Sequence, residues 1–153
     1  MKDKKIYVVG GAIEYAKWIN NYTLVDSLED ANIVLFTGGE DVDPSIYGCE
    51  KHHTTCSNIN RDLYEKEIFE KVRKDQLCIG ICRGSQFLCA INGGILIQDV
   101  NNHAIFGTHR IINVNNDMDK YEITSTHHQM QYPFNLRRGK DYKVLYYAAR
   151  RGT

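Results

Sequence analysis

The sequence has no surplus of charge, no long apolar run and no paired-cysteine framework, and each absence removes a class of protein. Nineteen basic residues stand against nineteen acidic ones, so the charge balance gives no reason to expect nucleic acid or an anionic membrane as partner. The arginines near the end (Arg137, Arg138, Arg150 and Arg151) are too few to change that balance. No apolar stretch approaches the roughly 20 residues of a membrane-spanning helix. Met1-Lys2-Asp3-Lys4-Lys5, followed by a strand-length apolar run and Gly10-Gly11, does not read as a secretory leader. Five cysteines are odd in number and not framework-spaced, which makes a reducing cytoplasm the expected location. Repeats, linkers and low-complexity tracts are missing too. What is present is ordinary for a globular chain: 42% hydrophobic and 25% charged residues over 153 positions, enough for one domain (1–153) with a real core.

The most informative stretch is Leu77-Cys78-Ile79-Gly80-Ile81-Cys82-Arg83-Gly84-Ser85-Gln86. Residues 77–81 read as a short buried strand, and helical pattern resumes at Gln86. Between them stands Gly-x-Cys-x-Gly, the layout of a nucleophile elbow with cysteine in place of serine. Glycines at 80 and 84 suit a turn too tight for side chains on either flank. The following helix would aim its positive N-terminus at the sulfur. Cys78 and Cys89 fall on apolar faces without such glycines and read as structural. Cysteine elbows occur in dienelactone-hydrolase-type α/β hydrolases, in chaperone- and protease-like relatives of class I amidotransferases, and in those amidotransferases.

A second segment separates these cases. The apolar residues 33–36 run into Thr37-Gly38-Gly39-Glu40-Asp41-Val42-Asp43-Pro44 and then Tyr47-Gly48. A Gly-Gly pair at the carboxyl end of a strand leaves backbone N–H groups free to face a crevice, where they can form half of an oxyanion hole. Further pieces follow in order: Arg61-Asp62-x-x-Glu65, Gly93-Gly94-x-Leu96-x-Gln98-Asp99 and Ser125-Thr126-His127-His128-Gln129. Together they closely resemble class I glutamine amidotransferase-like cysteine hydrolases, in particular the γ-glutamyl-γ-aminobutyrate hydrolase and γ-glutamyl hydrolase branch.

The resemblance implies a three-layer α/β sandwich with a largely parallel, flavodoxin-like central sheet. It makes Cys82 the nucleophile, with the backbone N–H groups of Gly39 and Arg83 as oxyanion-hole donors. Gln86, Ser125, His127, His128 and Gln129 would contact a small-molecule γ-glutamyl substrate, and no cofactor is implied. A γ-glutamyl amide has a poor leaving group, so a thioester intermediate splits one hard hydrolysis into two easier steps. Three functions stay open: hydrolysis to glutamate and an amine, an amidotransferase subunit passing ammonia to a partner synthetase, and a catalytically impaired form that binds glutamyl ligands.

One family feature has no counterpart. The family draws its general base and orienting carboxylate from a downstream His-x-Glu, and no His-x-Glu follows Cys82 here. The last histidine is His128 and the only glutamate after Cys82 is Glu122. We expect a longer protein whose closing strands lie beyond the given sequence. A shortened form, or recruitment of His127 or His128 as base with Glu122 as partner, are the alternatives.

Coarse patterning supports alternating helices and strands. The expectations are strands at 6–9, 33–36, 77–81, 95–97, 109–115, 121–125 and 142–148, and helices at 12–20 and, capped by Asn60, at 60–74. A short helical connection is expected at 26–31 and a hairpin turn at Asn115-Asn116-Asp117. In the second helix Tyr64, Ile68 and Val72 recur every four residues. Cys49-x-x-His52-His53-x-x-Cys56 offers four nitrogen and sulfur ligands. Structural zinc sites usually draw ligand pairs from separated segments, so no metal is expected there.

Overall fold

Alternate side chains along the early strands point to opposite sides, and both sides are apolar, which is the signature of a parallel sheet covered on two faces. The computed structural model describes residues 3–101 and 107–148, and the terminal Arg150 and Arg151 lie outside them. Strands β1 (Lys4–Val8), β2 (Tyr22–Leu24), β3 (Ile33–Phe36) and β4 (Leu77–Gly80) form one sheet in the order β2-β1-β3-β4, with every pairing parallel. Val34 and Phe36 face one core with Val9, Phe87 and Ala90; Ile33 and Leu35 face another with Ile6, Val8 and Ala16. Helices α1 (Ile59–Lys71) and α2 (Arg83–Ile91) supply Ile68, Phe69, Phe87 and Ala90 to the first face. A short 3-10 helix, Ile13–Trp18, covers part of the second with Ala16. The expected α/β sandwich with a parallel central sheet is therefore the observed architecture.

The second half is antiparallel. β5 (Ile95–Ile97) pairs with β8 (Met130–Tyr132), and β6 (Thr108–Asn113) pairs with both β7 (Asn116–Thr124) and β9 (Tyr146–Ala148). A hairpin joins β6 to β7 as expected, but the turn is Val114-Asn115, with Asn116 and Asp117 already in β7.

Several local expectations change. Residues 12–20 make only the six-residue 3-10 helix, because a segment with one buried side chain lacks the packing that sustains an α-helix. Residues 26–31 form a turn, in which the Ser27 hydroxyl donates to Asp30 and Ala31 N–H to the Leu28 carbonyl. The cap of α1 is Asn58 rather than Asn60; its side chain accepts from Arg61 N–H at 3.3 Å. The apolar stripe on α1 is only partly inward: Tyr64 is exposed, while Asp62 and Glu65 are the buried residues of the helix. β2 and β8, three residues each, were too short to read from patterning, and β9 starts four residues later than expected.

Candidate functional site

The register of β3 and β4 brings the two glycine-flanked loops together. Phe36 lies opposite Gly80, and Ile81 N–H donates to the Phe36 carbonyl at 3.0 Å, so Thr37-Gly38-Gly39 and Cys82 leave the sheet side by side at the carboxyl ends of neighbouring strands. Cys82 adopts φ 54° and ψ −118° as the residue preceding α2. A side chain in that region is strained and persists only where the surroundings enforce it. The enforcement is visible: a Cβ on Gly80 would meet the backbone of Gly84 and Ser85, and a Cβ on Gly84 would meet the Phe36 carbonyl. The turn admits nothing larger than glycine at either flank.

The sulfur side of this turn is open. Cys82 is exposed, whereas Cys78 and Cys89 are half-buried with thiols pushed up by burial. Cys82 borders two adjoining cavities of about 350 and 420 Å³. Gly39, Arg83, Gln86, His127, His128 and Gln129 line the first with it; Gln86, His127 and Gln129 recur in the second. Ser125 is fully buried and stands outside both linings.

The polar loop after β7 is tied to the nucleophile helix and to the acidic loop. Gln86 Nε2 donates to the Gln129 carbonyl at 3.1 Å, and the Gln129 side chain donates to Thr55 Oγ1 at 3.4 Å. His127 Nδ1 lies 2.7 Å from the same Gln129 carbonyl, which makes that nitrogen the donor. His128 stands between two carboxylates, with Nε2 3.0 Å from Asp41 Oδ2 and Nδ1 3.6 Å from Asp99 Oδ1. Glu122, weighed above as a histidine partner, is instead paired with Arg110 across the exposed hairpin at 3.2 Å.

Beneath the site lies a charge network whose partners the sequence motif did not reveal. The Arg83 guanidinium is buried and ion-paired with both Asp62 and Glu65, themselves buried. The other oxygen of Glu65 accepts from Arg61 Nε at 2.9 Å. Arg61 also donates to Glu40 at 2.8 Å and to the Gly38 carbonyl at 2.9 Å. Glu40's carboxyl is held below its ordinary range by its own backbone N–H and then by Arg61, with burial opposing. The spacing Arg61-Asp62-x-x-Glu65 was the available signal, since 61 and 62 lie one turn from 65 on a helix; the partner, Arg83, is in another element.

The cysteine–histidine stretch forms no metal cage. Cys49 and Cys56 are exposed, His52 is hydrogen-bonded to Thr54, and among the described residues no three histidine, cysteine or acidic side chains converge as ligands. Among the described residues, no helix is long and apolar enough to cross a membrane.

A parallel four-stranded sheet with helices packed on it is the architecture of the class I glutamine amidotransferase-like fold. The Peptidase C26 family profile matches residues 17–137, and the chain belongs to that family. It is 25% identical over 123 residues to protein NtpR of Enterococcus hirae, covering 67% of this chain and 52% of that protein. It is 36% identical over 86 residues to a glutamine amidotransferase-like YvdE homolog of Lactococcus lactis, covering 54% of this chain and 43% of that one. The chain thus spans about half the length, or less, of these curated relatives. A crystal structure of a glutamine amidotransferase from Thermotoga maritima superposes with a TM-score of 0.54 at 19% identity, covering 86% of this chain and 63% of that one.

Proposed function

We propose that Cys82 attacks the side-chain carbonyl of a γ-glutamyl amide and forms a glutamyl thioester that water then hydrolyses. One observation carries this reading: a cysteine with φ 54° at the start of α2 shares an open cavity with Gly39 and Arg83. In the first step the sulfur–carbon bond forms and the carbonyl electrons move onto oxygen. The N–H groups of Gly39 and Arg83 stabilise that oxyanion, a contribution worth about 10²–10³ in rate per donor in enzymes of this kind. The carbon–nitrogen bond then breaks, and the amine leaves after gaining a proton. Gln86, His127, His128 and Gln129 are the cavity groups suited to a glutamyl α-amino and α-carboxylate; Ser125 would act from within the wall. The Thr37–Pro44 and Tyr47-Gly48 pieces favour the γ-glutamyl-γ-aminobutyrate and γ-glutamyl hydrolase branch. The similarity to the glutamine amidotransferase-like protein of Lactococcus favours a second reading, delivery of ammonia to a partner synthetase, in which the same thioester forms.

Proton transfer to the leaving group is typically worth about 10²–10⁴-fold, and the family's His-x-Glu does not follow Cys82 in this sequence. The 153-residue sequence is therefore expected to turn over an ordinary γ-glutamyl amide slowly or not at all, so acylation of Cys82 is best read with an activated anilide whose amine departs more readily. Intact-mass analysis after incubation with γ-glutamyl-p-nitroanilide should detect one glutamyl increment in the wild type and none in Cys82→Ala. An increment that persists in Cys82→Ala sinks the assignment of the nucleophile. Rapid multiple turnover surviving both His127→Ala and His128→Ala contradicts the missing-base argument.

A further inference from the structure

The Gly38 carbonyl and the Gly39 N–H belong to one peptide unit, and among the described residues there are no cis peptides. In a trans unit these two groups point in opposite directions. Whatever holds the carbonyl on one side therefore aims the N–H at the other. The holder is Arg61. Its Nη2 donates to the Gly38 oxygen at 2.9 Å and reaches the Thr37 carbonyl and hydroxyl at 3.4 Å each, gripping two successive residues of the loop. Arg61 is not among the residues lining the cavity, whereas Gly39 is, so the carbonyl is drawn away from the space that Cys82 faces. A cation on the carbonyl oxygen also polarises the peptide and strengthens its N–H as a donor.

The loop's conformation at this point admits only glycine. Gly39 has φ 141°, a conformation open to glycine and costly for other residues, and a Cβ there would run into the Arg61 guanidinium. Arg61 in turn is fixed by Glu40 and by Glu65, and Glu65 also grips the side chain of Arg83. One buried carboxylate thus braces the Arg83 side chain directly and the Gly38–Gly39 peptide through Arg61.

We propose that Arg61 is a positioning residue that aims the Gly39 N–H at the oxygen which turns anionic when Cys82 attacks a carbonyl. This rests on the reading of Cys82 as an acyl-accepting nucleophile. It predicts a split between two reactions of the same thiolate. With 4-nitrophenyl acetate, the sulfur–acyl bond forms through an oxyanion and 4-nitrophenolate departs without needing an acid. With iodoacetamide, a sulfur–carbon bond forms, iodide departs and no oxyanion arises.

Both rates are to be read at individual cysteines by peptide mass in the full chain, with exposed Cys49 as the internal reference. Arg61→Ala should slow acylation of Cys82 about 10- to 100-fold, less than outright removal of a donor, and leave its alkylation within about twofold. Arg61→Lys, which keeps the charge but cannot span Glu65, Glu40 and Gly38 together, should recover only part of the loss. Should Arg61→Ala fail to fold by circular dichroism, Arg61→Lys alone carries the comparison, with acylation still slowed and alkylation unchanged. Equal acylation in wild type and variant overturns the inference while sparing the functional reading. A parallel fall in both reactions also overturns it, because the effect is then on the thiol or the fold. A wild-type Cys82 that is acylated no faster than Cys49 overturns the reading of the site itself, and the inference with it.

Discussion

At the scale of single residues, the largest energetic commitment is the buried Arg83–Asp62–Glu65 cluster. Taking three charges out of water is unfavourable unless each finds partners, and breaking such a cluster from one side costs about 3–5 kcal/mol. Glu65→Ala leaves Arg83 with Asp62 as its one carboxylate and strips Arg61 Nε of its partner, so we expect a loss of that size in urea unfolding at pH 7. A loss under about 1 kcal/mol would mean that the cluster contributes no more than a surface pair. These positions were legible as a motif and not as a network. Asp62 reads from sequence as a favourable charge in the first turn of a helix. Its burial follows from its pairing with Arg83 and with the Asp43 N–H, a tertiary fact. Cys82 is the opposite case: Gly80 and Gly84 announce the strained turn, because no packing argument otherwise asks for glycine on both flanks.

At the scale of elements, caps and short strands separate what is local from what is not. Asp43 closes the 3-10 turn Pro44–Tyr47: its Oδ1 accepts from Ser45 N–H and Oγ, and its Oδ2 from Ser57 Oγ. The Ser45 and then the Ser57 hydroxyls hold its carboxyl below the ordinary aspartate range. A carboxylate depressed in the folded state stabilises above its unfolded pKa, and that stability is lost as pH falls through the folded value. Asp43→Ala should therefore cost about 1 kcal/mol at pH 7. The gap between wild-type and variant urea midpoints should shrink below about pH 4; a gap that widens on acidification would reverse the assigned sign. Asn58 has the same capping chemistry as Asn60, and their competition for the start of α1 was settled by which side chain meets Arg61 N–H. β2 and β8 exist because neighbouring strands offer an edge, and three-residue strands carry too little periodicity to declare themselves.

At the scale of the whole molecule, stability is unevenly spread. Val34, Leu35 and Phe36 are wholly buried in β3, which is paired on both sides, while β7 is exposed along nearly all its length. Amide hydrogen exchange should accordingly be slowest in β3 and β1 and fastest among the strands in the β6–β7 hairpin. Protection of β7 equal to that of β3 would point to a surface covering the hairpin in solution. The site draws on this contrast. The Gly-Gly loop leaves the doubly paired β3 and Cys82 leaves its edge neighbour β4, whereas His127 and His128 come from the loop that follows the exposed hairpin.

From sequence alone came the alternation of helix and strand, the parallel core and the elbow at Cys82. These depend on periodicity, glycine sterics and local turn chemistry, all written within a dozen neighbouring residues. Only the tertiary structure decided that Arg83 points its side chain inward to Asp62 and Glu65, that His128 stands between Asp41 and Asp99, and that Arg61 holds the Gly38 peptide. Each of those contacts joins residues 18 or more positions apart. Their pairing depends on strand register and helix docking, which local sequence does not encode.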